Sequence, residues 1–581
     1  MTATHRKSGL PPWGAFPSTV PSFLRELPLV LAVLGLFYGL LTFARYGVGP
    51  VNTETVISLA PSALPKYAFF SVVRIALAYF LSLAFTLVYG YVAAYNPRAE
   101  RFMIPLLDIL QSIPVLSFLP GVMVAMIALF PHSQVGVELG CIVLILTGQV
   151  WNMTFSFYSS LKSIPREMHE AAQIYRLSWW QRMTQMELPF ATIGLVWNSI
   201  MSVAGAWFFL MVCEMFVLGN RDLRLPGLGS YLQTAANAGD TRAVAWGLAA
   251  MVTIIVTADQ IIWRPVIAWA EKFKIEQVEA AEPSRSPILD LLRRSKILPF
   301  AARLSVRPAR EAVSLYFARA QASQGQPTPG RKNGKLAERV VTLVALVAIA
   351  YATIRMSTLL VALSRHEVWE ILRGAAATFL RVEATLALAA LWTIPAGIVV
   401  GLRPKLSAFV QPIAQIAASV PATALFPIVL LLLVRIGGGM GIGSMVLLLL
   451  GTQWYILFNV IAGATSVPTD LKEVCGVFRF NRLERWRKLF LPAIFPYLIT
   501  GLITASGGAW NASIVAEYFH FRGETLTTVG LGAVISHATD SGNFPVLLAA
   551  TICMAAMVVT INRLVWRRLY GLASTKFKLE T

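Results

Sequence analysis

Arg74 and Arg381 place guanidinium groups inside two apolar segments, 307 residues apart, and Glu214 and Glu517 place carboxylates inside two others, 303 apart. Ionisable groups in hydrocarbon are costly, face a bundle interior and pair with one another. The chemistry on offer is therefore ion pairing, Arg74 with Glu214 and Arg381 with Glu517, each pair holding part of a fold. The other use open to the two arginines is direct contact with an anion. Catalytic chemistry has no comparable constellation. The six histidines form no HExxH or paired metal spacing, and the four cysteines (Cys141, Cys213, Cys475, Cys553) form no CxxC. The stretch GQPTPGRK (Gly325–Lys332) lacks the Gly-Lys-Ser/Thr ending of a phosphate-binding loop. We read the chain as no enzyme, with no ATP site, cofactor or metal of its own.

A second pair of carboxylates heads two charged stretches between apolar segments. EAAQIYRLSWWQRMTQMELP runs from Glu170 to Pro189, and EVCGVFRFNRLERWRKLFLP from Glu473 to Pro492. Upstream, SIP (Ser163–Pro165) and SVP (Ser466–Pro468) set a proline at the start of a helix. Midway, Ser178 with Gln181 and Asn481 with Glu484 have the spacing of a capping box. Each stretch is thus expected to form helix, turn, helix outside the membrane. The interleaved Ile174, Tyr175, Trp179 and Trp180, and Val477, Phe478, Phe480 and Trp486, suit a docking surface.

The elements that must position these groups are membrane helices. Of 581 residues, 56% are hydrophobic and 13% charged, against about 25% charged in soluble domains. About twelve segments are long enough to cross a bilayer: 27–46, 68–94, 102–130, 136–157, 190–216 and 243–265, then 340–362, 372–400, 407–435, 440–462, 493–519 and 545–567. The third of each set is proline-broken and can form two short helices. Pro114 and Pro120, with Pro421 and Pro427, interrupt it. They mark either a translocation path lined by freed backbone groups or a packing kink. The net charge of +20 fits basic loops beside spans. No basic stripe with interleaved aromatics suggests nucleic acid.

The chain is written twice. GAW recurs at Gly205–Trp207 and Gly508–Trp510, GLG at Gly227–Gly229 and Gly530–Gly532, and SIPVLSFLP (Ser112–Pro120) becomes SVPATALFP (Ser419–Pro427). Residues 1–275 and 340–581 therefore read as two halves of about six spans each, and 276–339 as a basic cytoplasmic linker with one short amphipathic helix at SPILDLLRRSKIL. An even span number makes the repeats parallel, with a substrate path between the halves. Lysine and arginine in the linker place it, both termini and both charged stretches in the cytoplasm. The basic N-terminus has no short apolar core with a cleavage site, so the first span is expected to be an uncleaved anchor. The longest outer loops, Arg221–Arg242 and Arg522–Asn543, carry glycines for tight turns. They either dock an external partner or merely cap the bundle.

The charged stretches resemble the EAA loop of binding-protein-dependent ABC importer permeases: EAA, three residues, Gly, nine residues, an aliphatic residue, one residue, Leu-Pro. Glu170, Ala171, Ala172, Met186, Leu188 and Pro189 match in the first half; Glu473, Leu489, Leu491 and Pro492 match in the second. Arg176 and Arg479 stand at the glycine position, where a left-handed turn would cost a non-glycine residue about 1 kcal/mol or more. AWFFLMVCEMF and AWNASIVAEYF resemble the corresponding stretch of nitrate, sulfonate, taurine and bicarbonate permeases. The resemblance covers both halves but not the linker. It implies an all-α integral membrane fold of the type I ABC importer kind, in the bacterial inner membrane. It also implies ATP and Mg²⁺ on two separate cytoplasmic ATPase subunits coupled through the EAA-like loops, a periplasmic or surface substrate-binding protein, and a small anion as cargo. The rival reading is an ATP-independent secondary transporter or channel, which mid-membrane coupling carboxylates would favour.

Overall fold

A computed structural model describes residues 56–218, 221–273, 354–436, 439–467, 469–521 and 524–576, with 35, 37–47, 49 and isolated positions between 308 and 351. About half of each of the expected spans 27–46 and 340–362, and nearly all of the linker 276–339, lie outside the described residues.

The first half runs α1 (Leu64–Tyr95), α2 (Pro97–Ser112), α3 (Leu119–Leu129), α4 (Val135–Lys162), α5 (Arg166–Ile174) and α6 (Trp179–Glu214). A hairpin of β1 (Val217–Leu218) and β2 (Arg221–Asp222) follows, then α7 (Leu228–Asn237) and α8 (Thr241–Ala270). The second half repeats the series as α9 (Arg365–Gly401), α10 (Pro404–Ser419), α11 (Ala422–Ile436), α12 (Met440–Thr465), α13 (Thr469–Val477) and α14 (Arg482–Ala516). The hairpin β3 (Tyr518–Phe521) and β4 (Glu524–Thr527), α15 (Leu531–Ser541) and α16 (Phe544–Ala573) complete it. Among the described residues, eight helices are long and apolar enough to cross a membrane: α1, α4, α6, α8, α9, α12, α14 and α16.

The broken third spans are each two helices. Pro114 precedes a 3-10 turn at Val115–Ser117, and Pro120 occupies the first turn of α3. Pro421 immediately precedes α11, and Pro427 lies in its second turn. Three of the four thus stand at breaks or helix starts, where a missing N–H costs least, and do not kink a continuous helix.

Another expectation needs correcting. The second short helix of each charged stretch does not end before the next span. It continues into it, through a π turn at Met183–Glu187 in α6 and at Trp486–Phe490 in α14. Leu188 N–H donates to Met183 O and Leu491 N–H to Trp486 O, five residues back. Pro189 and Pro492 follow directly. A proline ring crowds the carbonyl four residues back and donates nothing to it; the wider turn relieves both problems. Two further π turns, Asp259–Trp263 and Asn562–Trp566, also hold matching positions. Pro265 follows the first, but Arg568 stands in its place after the second, and nothing in the structure explains that one.

The chain divides into two compact units, one of residues 1–46, 163–197 and 257–327, the other of 47–162, 198–256 and 328–581. The first holds α5, the start of α6 and the end of α8. In the second, α4 packs on α1, and α12 packs on both α9 and α14. Glycines set these approaches: a Cβ on Gly90 would reach within 2.7 Å of Phe157, and one on Gly397 within 2.7 Å of Val460. Small residues let membrane helices gain dispersion contacts where lipid offers no hydrophobic drive.

Candidate coupling segments and buried charge clusters

In the first unit, α5 ends in a left-handed residue. Leu177 N–H donates to Ala172 O and Arg176 N–H to Gln173 O, both at 3.0 Å, with Arg176 at φ 49°. This is the Schellman ending, which normally takes glycine. The second copy, in the other unit, closes alike: Phe480 N–H donates to Cys475 O at 3.0 Å, with Arg479 at φ 48°. Arg176 and Arg479 are the only non-glycine residues at positive φ among the described residues. Both arginines are exposed, so their side chains do not fill the turn.

The capping boxes then start the next helix. Gln181 N–H donates to Ser178 Oγ at 3.2 Å and Ser178 N–H to Gln181 Oε1 at 2.9 Å. Glu484 N–H donates to Asn481 Oδ1 at 2.8 Å and Asn481 N–H to Glu484 Oε2 at 3.0 Å. The Asn481 backbone bond, with Lys488 beside it, holds the Glu484 carboxyl below the ordinary range.

Glu170 and Glu473 are exposed at these segments. Ala172 is buried and Ala171 half-buried, so the paired alanines let α5 seat closely. Cys475 and Leu489 join Val467 and Ala493 in a small core under α13. Leu188, Pro189 and Pro492 are half-buried and Leu491 is exposed. Outside that footing, apolar groups face out: Ile174 and Tyr175 are each 78% exposed, Val477 79% and Phe478 68%. Large apolar side chains exposed at matching places in both copies make this a candidate interaction surface.

The structure brings Arg74 to Glu214 and Arg381 to Glu517. Arg74 is fully buried and donates from Nη1 to Glu214 Oε1 at 2.7 Å and to the Pro226 carbonyl at 2.9 Å. Glu214 also accepts from Ser71 Oγ at 2.7 Å and from Gly229 N–H at 2.8 Å, at the start of α7. In the second half Arg381 Nη1 donates to Glu517, which accepts from Thr378 Oγ1 at 2.7 Å and Gly532 N–H at 2.8 Å. Each glutamate therefore lies at a helix N-terminus, where amides and the helix dipole favour a carboxylate.

That arrangement corrects the reading of the GLG motif. Gly227 and Gly530 have extended φ of −175° and 178°, open to any residue. A Cβ on either would fall on the neighbouring carboxylate, and one on Gly229 or Gly532 would come within 2.7 or 2.6 Å of a backbone carbonyl. These glycines permit the approach of a helix end to a glutamate, with no tight turn involved.

Sequence reasoning missed Glu138. It binds Arg74 in a fork, Nε to Oε2 at 2.7 Å and Nη2 to Oε1 at 2.6 Å, making the first cluster a Glu–Arg–Glu triad. A carboxylate inside the expected span 136–157 was the available signal.

A cavity of about 440 Å³ lies in the second unit where parts of both halves meet. Leu116, Leu119 and Pro120 line one side; Ile514, Val515 and Phe519 line another. Among the described residues its charged lining is Asp222, Arg224 and Asp540, two carboxylates and one guanidinium. Burial acts to raise the Asp222 carboxyl, but its bonds from the Arg224 side chain and backbone outweigh that and hold it below the ordinary range. Burial and the bond to Asp540 push the Tyr518 hydroxyl up. Pro114 and Pro421 are not among its described lining residues.

Two copies of one helical membrane unit, each with an exposed glutamate-headed segment and a buried arginine–glutamate cluster, define a duplicated multi-pass membrane protein. The family described as "Binding-protein-dependent transport system inner membrane component" matches it twice, over residues 86–262 and 393–570, and the chain belongs to that family. It is similar to the nitrate import permease protein NrtB of Leptolyngbya laminosa, 29% identical over 197 residues, 34% of this chain and 66% of that one. It is similar to the bicarbonate transport system permease protein CmpB of Synechococcus elongatus, 29% identical over 189 residues, 32% of this chain and 65% of that one. It is also similar to CmpB of Synechocystis, 30% identical over 183 residues, 32% of this chain and 62% of that one. The alignments thus span just under two thirds of each of these relatives.

Proposed function

We propose that this chain is the membrane subunit of an ATP-driven importer for a small anion. Two cytoplasmic ATPase subunits, carrying ATP and Mg²⁺, dock on the segments headed by Glu170 and Glu473. A substrate-binding protein delivers the solute to the end of the bundle bearing the two β-hairpins. Both termini lie with the ATPases.

The observation that carries this reading is the matched pair of surfaces: an exposed glutamate, two exposed apolar side chains and a left-handed arginine on a short capped helix, in each half. A basic groove on an ATPase would meet the glutamate through charge-assisted hydrogen bonds. The apolar pair would supply the buried centre of such an interface. Because α6 and α14 begin one turn after these docking groups and run on as membrane helices, a push on either segment is delivered to the foot of a membrane helix. The ATPase then supplies the differential energy that selects between two states of the permease. Anionic cargo is supported by the nitrate and bicarbonate named for the relatives.

The test is affinity purification of the tagged chain from its host in mild detergent, beside a Glu170→Lys/Glu473→Lys variant. Recovery of a stoichiometric ATPase with the wild type, and its loss from the variant, is the expected result. A wild-type chain that never brings an ATPase would sink the proposal and favour an ATP-independent transporter.

A further inference from the structure

The two halves differ at one place in their buried clusters. Glu138 lies in the first turn of α4, and its counterpart 303 residues on is Gly441, in the first turn of α12. Phe70, whose ring centroid lies 5.9 Å from the Arg74 guanidinium, has Ala377 as its counterpart 307 residues on. The arginine of the second half therefore lacks both a second carboxylate and a covering ring from these positions.

The hydrogen bonds register the loss. Arg74 gives Nε and Nη2 to the two oxygens of Glu138 and is 0% exposed. Arg381 is 11% exposed; its Nη2 turns to the Val529 carbonyl at 2.9 Å and, at 3.3 Å, to Thr528 Oγ1. Among the described residues, its Nε donates to none. Among the described residues, a Cβ on Gly441 would meet nothing nearer than Thr528 Oγ1 at 3.8 Å. Gly439, the N-cap of α12, contributes no side-chain bond to that helix end.

We propose that the Nε–Nη2 edge of Arg381, beside Gly441 and Ala377, binds a small planar monoanion with two coplanar oxygens. The first half supplies the pattern, since Glu138 fills this edge on Arg74; on Arg381 the ligand takes the unbonded Nε and displaces Thr528 Oγ1, the longer of the two Nη2 bonds, while Val529 keeps its own. A guanidinium fork matches two oxygens of a trigonal oxyanion and mismatches a spherical halide. The charge count agrees: one arginine and two glutamates sum to −1 in the first cluster, one and one to zero in the second, and a bound monoanion makes them equal. Each chain has one such site, in its second half.

This inference deepens the anion reading above, yet it needs neither ATPase nor binding protein, so the two can fail separately. The probe is sodium nitrate, titrated into the full chain in lipid nanodiscs at constant ionic strength set with sodium chloride, with calorimetric binding and the thermal midpoint as readouts. Saturable binding and a rising midpoint are expected for the wild type. Gly441→Glu brings its own carboxylate to the fork, so it should raise the midpoint without nitrate and abolish the response to it. Ala377→Phe, which restores the ring, should weaken nitrate binding at least tenfold and serves if Gly441→Glu does not fold. No nitrate response beyond chloride in the wild type, or an equal response in the variants, overturns the site. ATPase recovery that persists in that case leaves the importer reading standing.

Discussion

Arg74 holds two carboxylates and Arg381 holds one, so the same substitution has unequal costs. Arg74→Met strands Glu138 and Glu214 together in the interior, and breaking a buried ion pair from one side typically costs about 3–5 kcal/mol. Arg381→Met strands Glu517 alone, still bonded by Thr378 and Gly532. We expect the larger fall in thermal midpoint for Arg74→Met; equal falls would mean that Glu138 is not part of the balance. A second residue-scale contrast separates the capping boxes by pH. The Glu484 carboxyl lies below its ordinary value because it is bonded as a carboxylate. Its contribution is therefore full above the ordinary glutamate pKa of about 4.3 and is lost as pH falls through the lower folded value. Gln181 does not titrate. Hydrogen exchange at residues 481–486 should accelerate on acidification while that at 178–183 holds. The arginine–glutamate pairs were legible in the sequence because they occur twice. Glu138 was not, because a search for repeated residues passes over one that only a single copy has.

The helix ends carry the next scale. A glycine at the left-handed position of each Schellman ending would remove the clash between Cβ and the following carbonyl. It would also enlarge the freedom of the unfolded chain. Arg176→Gly and Arg479→Gly should therefore stabilise each turn by up to about 1 kcal/mol, read as slower exchange of the Leu177 and Phe480 amides. Faster exchange would show that the arginine side chains hold the turns. If ATPase recovery falls while exchange slows, the guanidinium groups belong to the docking surface, and the strain is retained for it. The register of these turns was legible from the spacing between glutamate and Leu-Pro. Their continuity with α6 and α14 was not. A π turn differs from an α turn by one hydrogen-bond register, and the side-chain pattern is too short to show it; Pro189 and Pro492 are the only sequence trace. GLG was legible as a repeated motif but not as a packing device, since its glycines answer to glutamates 13 and 15 residues earlier in the chain.

For the whole molecule, the duplication makes the two proposed docking segments separable. Glu170→Lys and Glu473→Lys, each alone, should halve the ATPase recovered per chain, whereas complete loss from either one would mean that the two ATPases bind only as a unit. Two-half architecture and helix content were readable from hydropathy and offsets, because a bilayer imposes length and apolarity on every span. The difference between the halves emerged only from comparing their bonds. Covalent joining gives that difference its permanence. Two identical subunits assembling by mass action must share every substitution, and two unlike subunits can pair wrongly, first with first or second with second. A single chain admits one composition only. Every molecule carries one fully buried arginine and one partly exposed arginine in fixed ratio, so the two halves can divide their tasks without risk of mispairing.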